Sequence, residues 1–135
     1  MGDSMYYCFR LKKGQDLKKE IEKFVKEKNI SGVILSGVGC LSHLNVRLAD
    51  GETCLDKSGS FEIVSLMGTL SVDGVHLHIS VSDNDGVTIG GHLKDGCIVN
   101  TTSEIVLLSI DKYVFSREFD ETTGYNELVI KEKDA

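Results

Sequence analysis

Long apolar runs, a Cys-x-x-Cys pair and an excess of positive charge are all missing from this sequence, and each absence removes a class of protein. No stretch approaches the roughly 20 apolar residues needed to span a bilayer, and no charged segment leads into a short apolar one as in a secretion signal. The expected setting is therefore the cytoplasm, with no membrane partner. Cys8, Cys40, Cys54 and Cys97 stand far apart, which excludes a zinc knuckle and a thioredoxin-type motif. They read as reduced thiols, Cys54 in a loop and the others in apolar strands. Against 21 acidic residues the chain sets only 15 basic ones, a net charge of −6. That is the wrong sign for an unaided nucleic-acid binder, whose affinity rests on Lys and Arg clustered against phosphates. The one basic cluster, Lys12 to Lys28, is interleaved with Glu20, Glu22 and Glu27 and reads as a solvated helix face.

What is present is material for one domain. With 135 residues, 41% apolar and 27% charged, the chain can bury on the order of two-thirds of its unfolded surface. Residues 1–4 read as an expression scar, and a single domain is expected over 5–131. A first strand is expected at Met5–Lys12. From Asp16 to Lys28, Leu17, Ile21, Phe24 and Val25 fall at helical spacing behind a capping Asp16. Downstream, strand patterns cover Gly32–Val38, Leu44–Leu48, Phe61–Val72, Val75–Ser82, Val87–Leu93, Cys97–Asn100, Glu104–Phe115 and Glu127–Ile130. The fold class is α+β: a mostly antiparallel, curved sheet with one main amphipathic helix packed on it. One helix cannot cover both faces of such apolar strands as Gly32–Leu35 and Ile105–Leu108, so self-association is expected.

The most informative stretch runs from Val75 to Asp83 and on to Gly90-Gly91-His92. Val75, Leu77, Ile79 and Val81 alternate with His76, His78, Ser80 and Ser82, which puts both imidazoles on one strand face and a core on the other. Asp73-Gly74 reads as a two-residue hairpin turn, with His76 opposite Ser71 and His78 opposite Thr69. Two imidazoles two residues apart on a strand can share a divalent ion. His92 is the candidate third ligand because Gly90 and Gly91 let the backbone before it approach a neighbouring strand. Three histidines and an open position filled by water form the catalytic zinc pattern. The competing reading makes His76 and His78 half-exposed residues hydrogen-bonded to Ser71 and Thr69.

The other polar features read as structure. His43 lies elsewhere in the strand order and is assigned a structural role. Asp83-Asn84-Asp85-Gly86 lacks the glutamate that ends a calcium loop and reads as a turn. No Gly-x-Gly-x-x-Gly opens a helix, and no serine sits in a Gly-x-Ser-x-Gly elbow. Arg117-Glu118-Phe119-Asp120 and Thr122-Thr123-Gly124-Tyr125 read as a charged turn, with a cleft lining as the alternative. Glu104 reads as a strand-edge charge rather than an acid or base beside a metal.

The His76-x-His78-x-Ser80-Val81-Ser82-Asp83 stretch, the following Gly90-Gly91-His92-Leu93, and the run Phe61-Glu62-Ile63-Val64-Ser65-Leu66-Met67-Gly68 resemble the plants-and-prokaryotes conserved (PPC) domain, from Tyr6 to Ile130. The resemblance implies a compact α+β domain assembled as a homotrimer, in a family whose prokaryotic members are described as DNA-binding. In plants DNA contact belongs to a separate AT-hook with an Arg-Gly-Arg-Pro core, and this chain contains no proline. The fold implied is also similar to acetolactate decarboxylase and a zinc-dependent ester hydrolase, which maps His76, His78 and His92 onto metal ligands, zinc or another divalent transition metal. Two functional readings follow from this. One is a DNA-binding or regulatory homotrimer carrying a three-histidine zinc site. The alternative is a zinc-dependent hydrolase or decarboxylase-like enzyme taking a small carbonyl ligand.

Overall fold

The helix forms where the apolar spacing places it. In the computed structural model, which describes residues 4–134, α1 spans Leu17–Lys28 and buries Leu17, Ile21 and Val25 completely. Each such side chain contributes roughly 1.5–3 kcal/mol of transfer free energy. Asp16 caps the helix by accepting a hydrogen bond from the Lys19 amide at 3.1 Å, and its other oxygen accepts from the Gly96 amide at 2.7 Å. The helix start is thereby fastened to a loop eighty residues further along the chain. Asn29, left-handed at φ 54°, ends the helix. Phe24 stacks on Phe9 at 4.4 Å between ring centroids and so seats the helix on β1, Met5–Lys12.

Seven further strands follow: β2 Gly32–Arg47, β3 Cys54–Ser71, β4 Gly74–Ser82, β5 Thr88–Leu93, β6 Ile98–Ser109, β7 Tyr113–Asp120 and β8 Tyr125–Glu132. All the pairings are antiparallel. The main sheet runs β1-β6-β2-β3-β4-β5, and β7 pairs with β8 in a separate hairpin. The fold class is α+β, as the sequence reading expected. Several expected strands are continuous where breaks were expected. β2 joins Gly32–Val38 to Leu44 through register shifts near Ser36, Cys40 and His43. Such shifts bend a strand without ending it. The bend lets β2 pair with β6 along its first part and with β5 at Val46 and Arg47, so that β2, β3, β4 and β5 close on themselves. The expected strand Glu104–Phe115 is instead divided, because the Ile110 amide donates to Ser31 O and the chain turns away into the β7–β8 hairpin.

The core lies between the helix and the concave side of this sheet, with Leu41, Leu44, Val46, Leu70, Leu77, Val81, Val99 and Leu107 buried in it. Burial on both sheet faces was expected for Gly32–Leu35 and Ile105–Leu108. Ile34, Ile105 and Leu107 are buried, but Leu35 is 46% exposed, and Val38, Val64 and Met67 are exposed as well. Among the described residues, these four side chains remain uncovered. Cys97 is buried, its Sγ against the Asn45 amide and carbonyl, and burial pushes its thiol up to about 11. All four cysteines are free, and Cys54 opens β3 rather than lying in a loop. Among the described residues no helix is long and apolar enough to cross a membrane. Of residues 1–4, read above as a scar, only Ser4 lies within the described residues.

Candidate metal centre

Strand register assembles the site. Directly opposed residues in an antiparallel pair share a sheet face. His78 opposes Met67 on β3 and His92 on β5, and His92 in turn opposes Arg47 on β2. Met67, His78, His92 and Arg47 therefore form one row across four strands on the face away from the core. His76 stands two residues along β4 on the same face, opposite Thr69. The expected hairpin register is off by two positions. The turn residues are Val72 and Asp73, with Ser71 opposite Gly74, because the Ser71 hydroxyl donates to Gly74 O at 2.9 Å and closes the hairpin one residue early. A slip of two keeps every side chain on its predicted face, so the placement of the imidazoles survives it.

His76, His78 and His92 each offer a nitrogen, and the three nitrogens lie within 4.8 Å of one another. The ligands of a tetrahedral ion with bonds of about 2.0–2.1 Å stand about 3.3 Å apart. Small side-chain rotations separate the two arrangements. His76 and His78 are exposed and His92 is half-buried. Burial and the neighbouring Arg47 lower the His92 pKa to about 4, and burial, His78 and Arg117 lower that of His76. Both rings are thus neutral near pH 7, the form that ligates metal. Nδ1 of His92 is buried without a hydrogen-bond partner. The competing reading does not match the bonds formed: Ser71 Oγ donates to Gly74 O, Thr69 Oγ1 accepts from Arg117 Nη2 at 3.0 Å, and among the described residues neither hydroxyl bonds His76 or His78. The residues present fit a transition metal, and Gly90-Gly91 explains how they come together. A Cβ on Gly90 would stand 2.1 Å from Ile79 O, and one on Gly91 would stand 2.5 Å from Arg47 O, so side chains there would pry β5 from both of its neighbours.

Beside the imidazoles opens a cleft of about 420 Å³, with His76, His92 and Arg47 on the sheet side and Arg117, Tyr125 and Glu127 on the β7–β8 hairpin. The hairpin is held over the sheet by the Arg117 amide donating to Asp73 Oδ2 at 3.1 Å and the Phe115 amide donating to Ser31 Oγ at 2.9 Å. The Arg47 guanidinium lies 5.3 Å from the Tyr125 ring centroid. Here the charged-turn reading is corrected: residues 121–124 are the turn, whereas Arg117 and Tyr125 lie on strands and line the cleft. Sequence reasoning missed Arg47 altogether. Only the pairing of β2 with β5, forty-five positions apart at Arg47 and His92, brings it to the site.

The remaining candidates stay outside the site. His43 bonds Ser58 Oγ at 2.9 Å and Asp56 across the β2–β3 ladder, a structural role as expected. Asp83 accepts from the Asp85 and Val87 amides and forms the expected turn. Glu104 opposes Arg10 on β1, away from the cleft.

The Plants and Prokaryotes Conserved (PCC) domain model matches residues 2–111, ending just before β7. Bifunctional protein GlmU of Synechococcus sp. (strain JA-3-3Ab) is 47% identical over 131 residues, which cover 96% of this chain and 21% of that protein. The chain thus spans about a fifth of the length of the curated relatives it matches. Among solved structures, a hypothetical protein of Salmonella cholerae-suis superposes with a TM-score of 0.92 at 36% identity, covering 98% of this chain and 97% of the other. A metal-containing protein of Archaeoglobus fulgidus gives 0.80 at 29% identity, with 93% of each chain covered. A Bacteroides thetaiotaomicron protein, provisionally described as DNA-binding, gives 0.80 at 26% identity, with 92% of this chain and 91% of that one covered.

Proposed function

The chain belongs to the Plants and Prokaryotes Conserved domain family, and from that premise we propose that it is a metal-binding member in which His76, His78 and His92 hold one divalent transition ion, zinc first, at the edge of a small-molecule cleft. The observation that carries this reading is the convergence of three imidazole nitrogens within 4.8 Å from strands β4 and β5. Its support includes the neutral state of His76 and His92 and the description of the Archaeoglobus neighbour as metal-containing. Zinc held by three histidines supplies a Lewis acid that polarises a carbonyl or acidifies a bound water. The chain's own contribution is to keep the imidazoles on one rigid sheet face, to fix their neutral form, and to place Arg47 and Arg117 beside them. This favours a hydrolase or lyase acting on a small carbonyl compound.

A homotrimer belongs to the same proposal. Leu35, Val38, Val64 and Met67 leave an apolar outer face that a second copy would cover. DNA contact, the second reading, rests on the description of the Bacteroides neighbour and is opposed by the net charge of −6.

Elemental mass spectrometry of protein purified without tag or chelator tests the metal reading. About one metal per chain is expected for the wild type, with loss in His76→Ala, His78→Ala and His92→Ala. No metal in the wild type, even after incubation with zinc, overturns it.

A further inference from the structure

The cleft beside the imidazoles holds two guanidinium groups that form no ion pair among the described residues. Among the described residues neither Arg47 nor Arg117 pairs with a carboxylate, while Lys18, on the same cleft, lies 3.9 Å from both Glu22 and Asp95. The bonds made by the Arg117 guanidinium are to neutral oxygens, Thr69 Oγ1 at 3.0 Å and Asn126 O at 3.5 Å. Arg47 rests on the Tyr125 ring, and its Nε is buried with no hydrogen-bond partner. Burying cationic donors without an opposing charge is costly, so a site that does so is complementary to an anion brought by a ligand.

The acids on the same wall set the charge of that anion. Glu22 is taken by Lys18, whereas Asp73, whose Oδ2 accepts from the Arg117 amide, keeps its charge on the cleft wall, and Glu127 faces the cleft close enough to act on both His76 and Arg117. With Arg47 and Arg117 facing the two carboxylates Asp73 and Glu127, a ligand of one negative charge suits the cleft better than a dianion, which the two acids would repel more strongly. The volume, about 420 Å³, suits a small molecule.

We infer that the cleft between the three histidines and the β7–β8 hairpin takes a small monocarboxylate, anchored by Arg117 and Arg47, with Arg117 supplied by a hairpin that lies beyond the 2–111 span of the family match. This rests on the reading of the histidines as a metal site only in that the rest of the ligand then lies beside the metal. Arg117 is a binding residue, and its fork matches the two oxygens of a carboxylate in a way a lysine cannot.

Cobalt(II) is a spectroscopic probe for the histidines, and L-lactate, acetate and inorganic phosphate are probes for the cleft. L-lactate should saturate the cobalt-loaded protein and shift its visible absorption. Arg117→Ala should weaken lactate binding by about tenfold to a hundredfold while leaving cobalt affinity unchanged. Arg117→Lys and Arg47→Lys, which keep the charge and lose the fork, should fall between, and they carry the test if the alanine variant does not fold. Lactate affinity unaltered in both arginine variants, or phosphate binding more tightly than lactate, overturns the inference. If no cobalt binds, the metal reading falls and calorimetric titration of lactate into metal-free protein judges the cleft alone. Dependence on Arg117 there sustains the inference, and its absence overturns it.

Discussion

Gly90→Ala perturbs the histidine site while leaving every polar group in place. The added Cβ would lie 2.1 Å from Ile79 O and 2.8 Å from the Ser80 Cα, all of it backbone that no rotamer change can move aside. Ordinary contact begins near 3.4 Å, so β5 must withdraw from β4 by about 1.3 Å at the Ser80–Gly90 pair. Overpacking of this kind costs roughly 1–3 kcal/mol, and a ladder hydrogen bond lost with it adds about 1 kcal/mol. At about 4 °C per kcal/mol for a domain of this size, melting should fall by on the order of 10 °C. His92, two residues along β5, moves with the strand, so zinc affinity should fall by about tenfold or more. Gly86→Ala is the control: φ is +79° and nothing lies within 4 Å of its Cβ, so only the left-handed backbone is strained, at about 1 kcal/mol. Thermal unfolding by circular dichroism in the presence of chelator, followed by calorimetric zinc titration, compares the two variants. Equal melting temperatures, or wild-type zinc affinity in Gly90→Ala, would refute the claim that close strand approach builds the site.

Three other expectations follow from the same structure. His92 has its pKa lowered to about 4 from 6.5, so the unfolded chain takes up the proton first. The metal-free protein should then hold its full stability above about pH 6.5 and lose it as the pH falls toward 4. The urea midpoint should track this, with a shallower loss in His92→Gln, and identical slopes would contradict it. Asp16→Ala removes both the helix cap on Lys19 and the acceptor for the Gly96 amide, and should cost about 1–3 kcal/mol in denaturant unfolding, with Asp16→Asn between it and the wild type. Met67→Glu and Leu35→Glu place charge on the exposed apolar face and should convert a wild-type trimer into monomers in light scattering. A wild-type monomer removes the trimer from the proposal.

Much of the fold was legible because it depends on local periodicity. Leu17, Ile21, Phe24 and Val25 at helical spacing and the alternation through Val75–Ser82 each fix which side chains face the core, and the structure buries Leu17, Ile21, Val25, Leu77, Ile79 and Val81 and packs Phe24 and Val75 partly buried against them. Strand ends were less legible. Bulges in β2 carry it past the expected break, and the Ser71 hydroxyl, rather than Asp73-Gly74, decides where the hairpin turns. The Gly90-Gly91-His92 signal was readable because two residues without side chains let a strand approach its neighbour closely.

The sequence by itself determined the helix, the strand faces and the shared face of His76 and His78, which follow from the period of side chains along one stretch of backbone, and the candidacy of His92, which follows from Gly90-Gly91 before it. Only the tertiary structure decided that Arg47 stands beside His92 and that a hairpin read as a charged turn brings Arg117, Tyr125 and Glu127 over His76. Those contacts depend on how a bent β2 closes against β5 and on where Asp73 and Ser31 catch the hairpin amides. Such long-range choices are made by packing and hydrogen-bond geometry in three dimensions and leave no periodic trace along the chain.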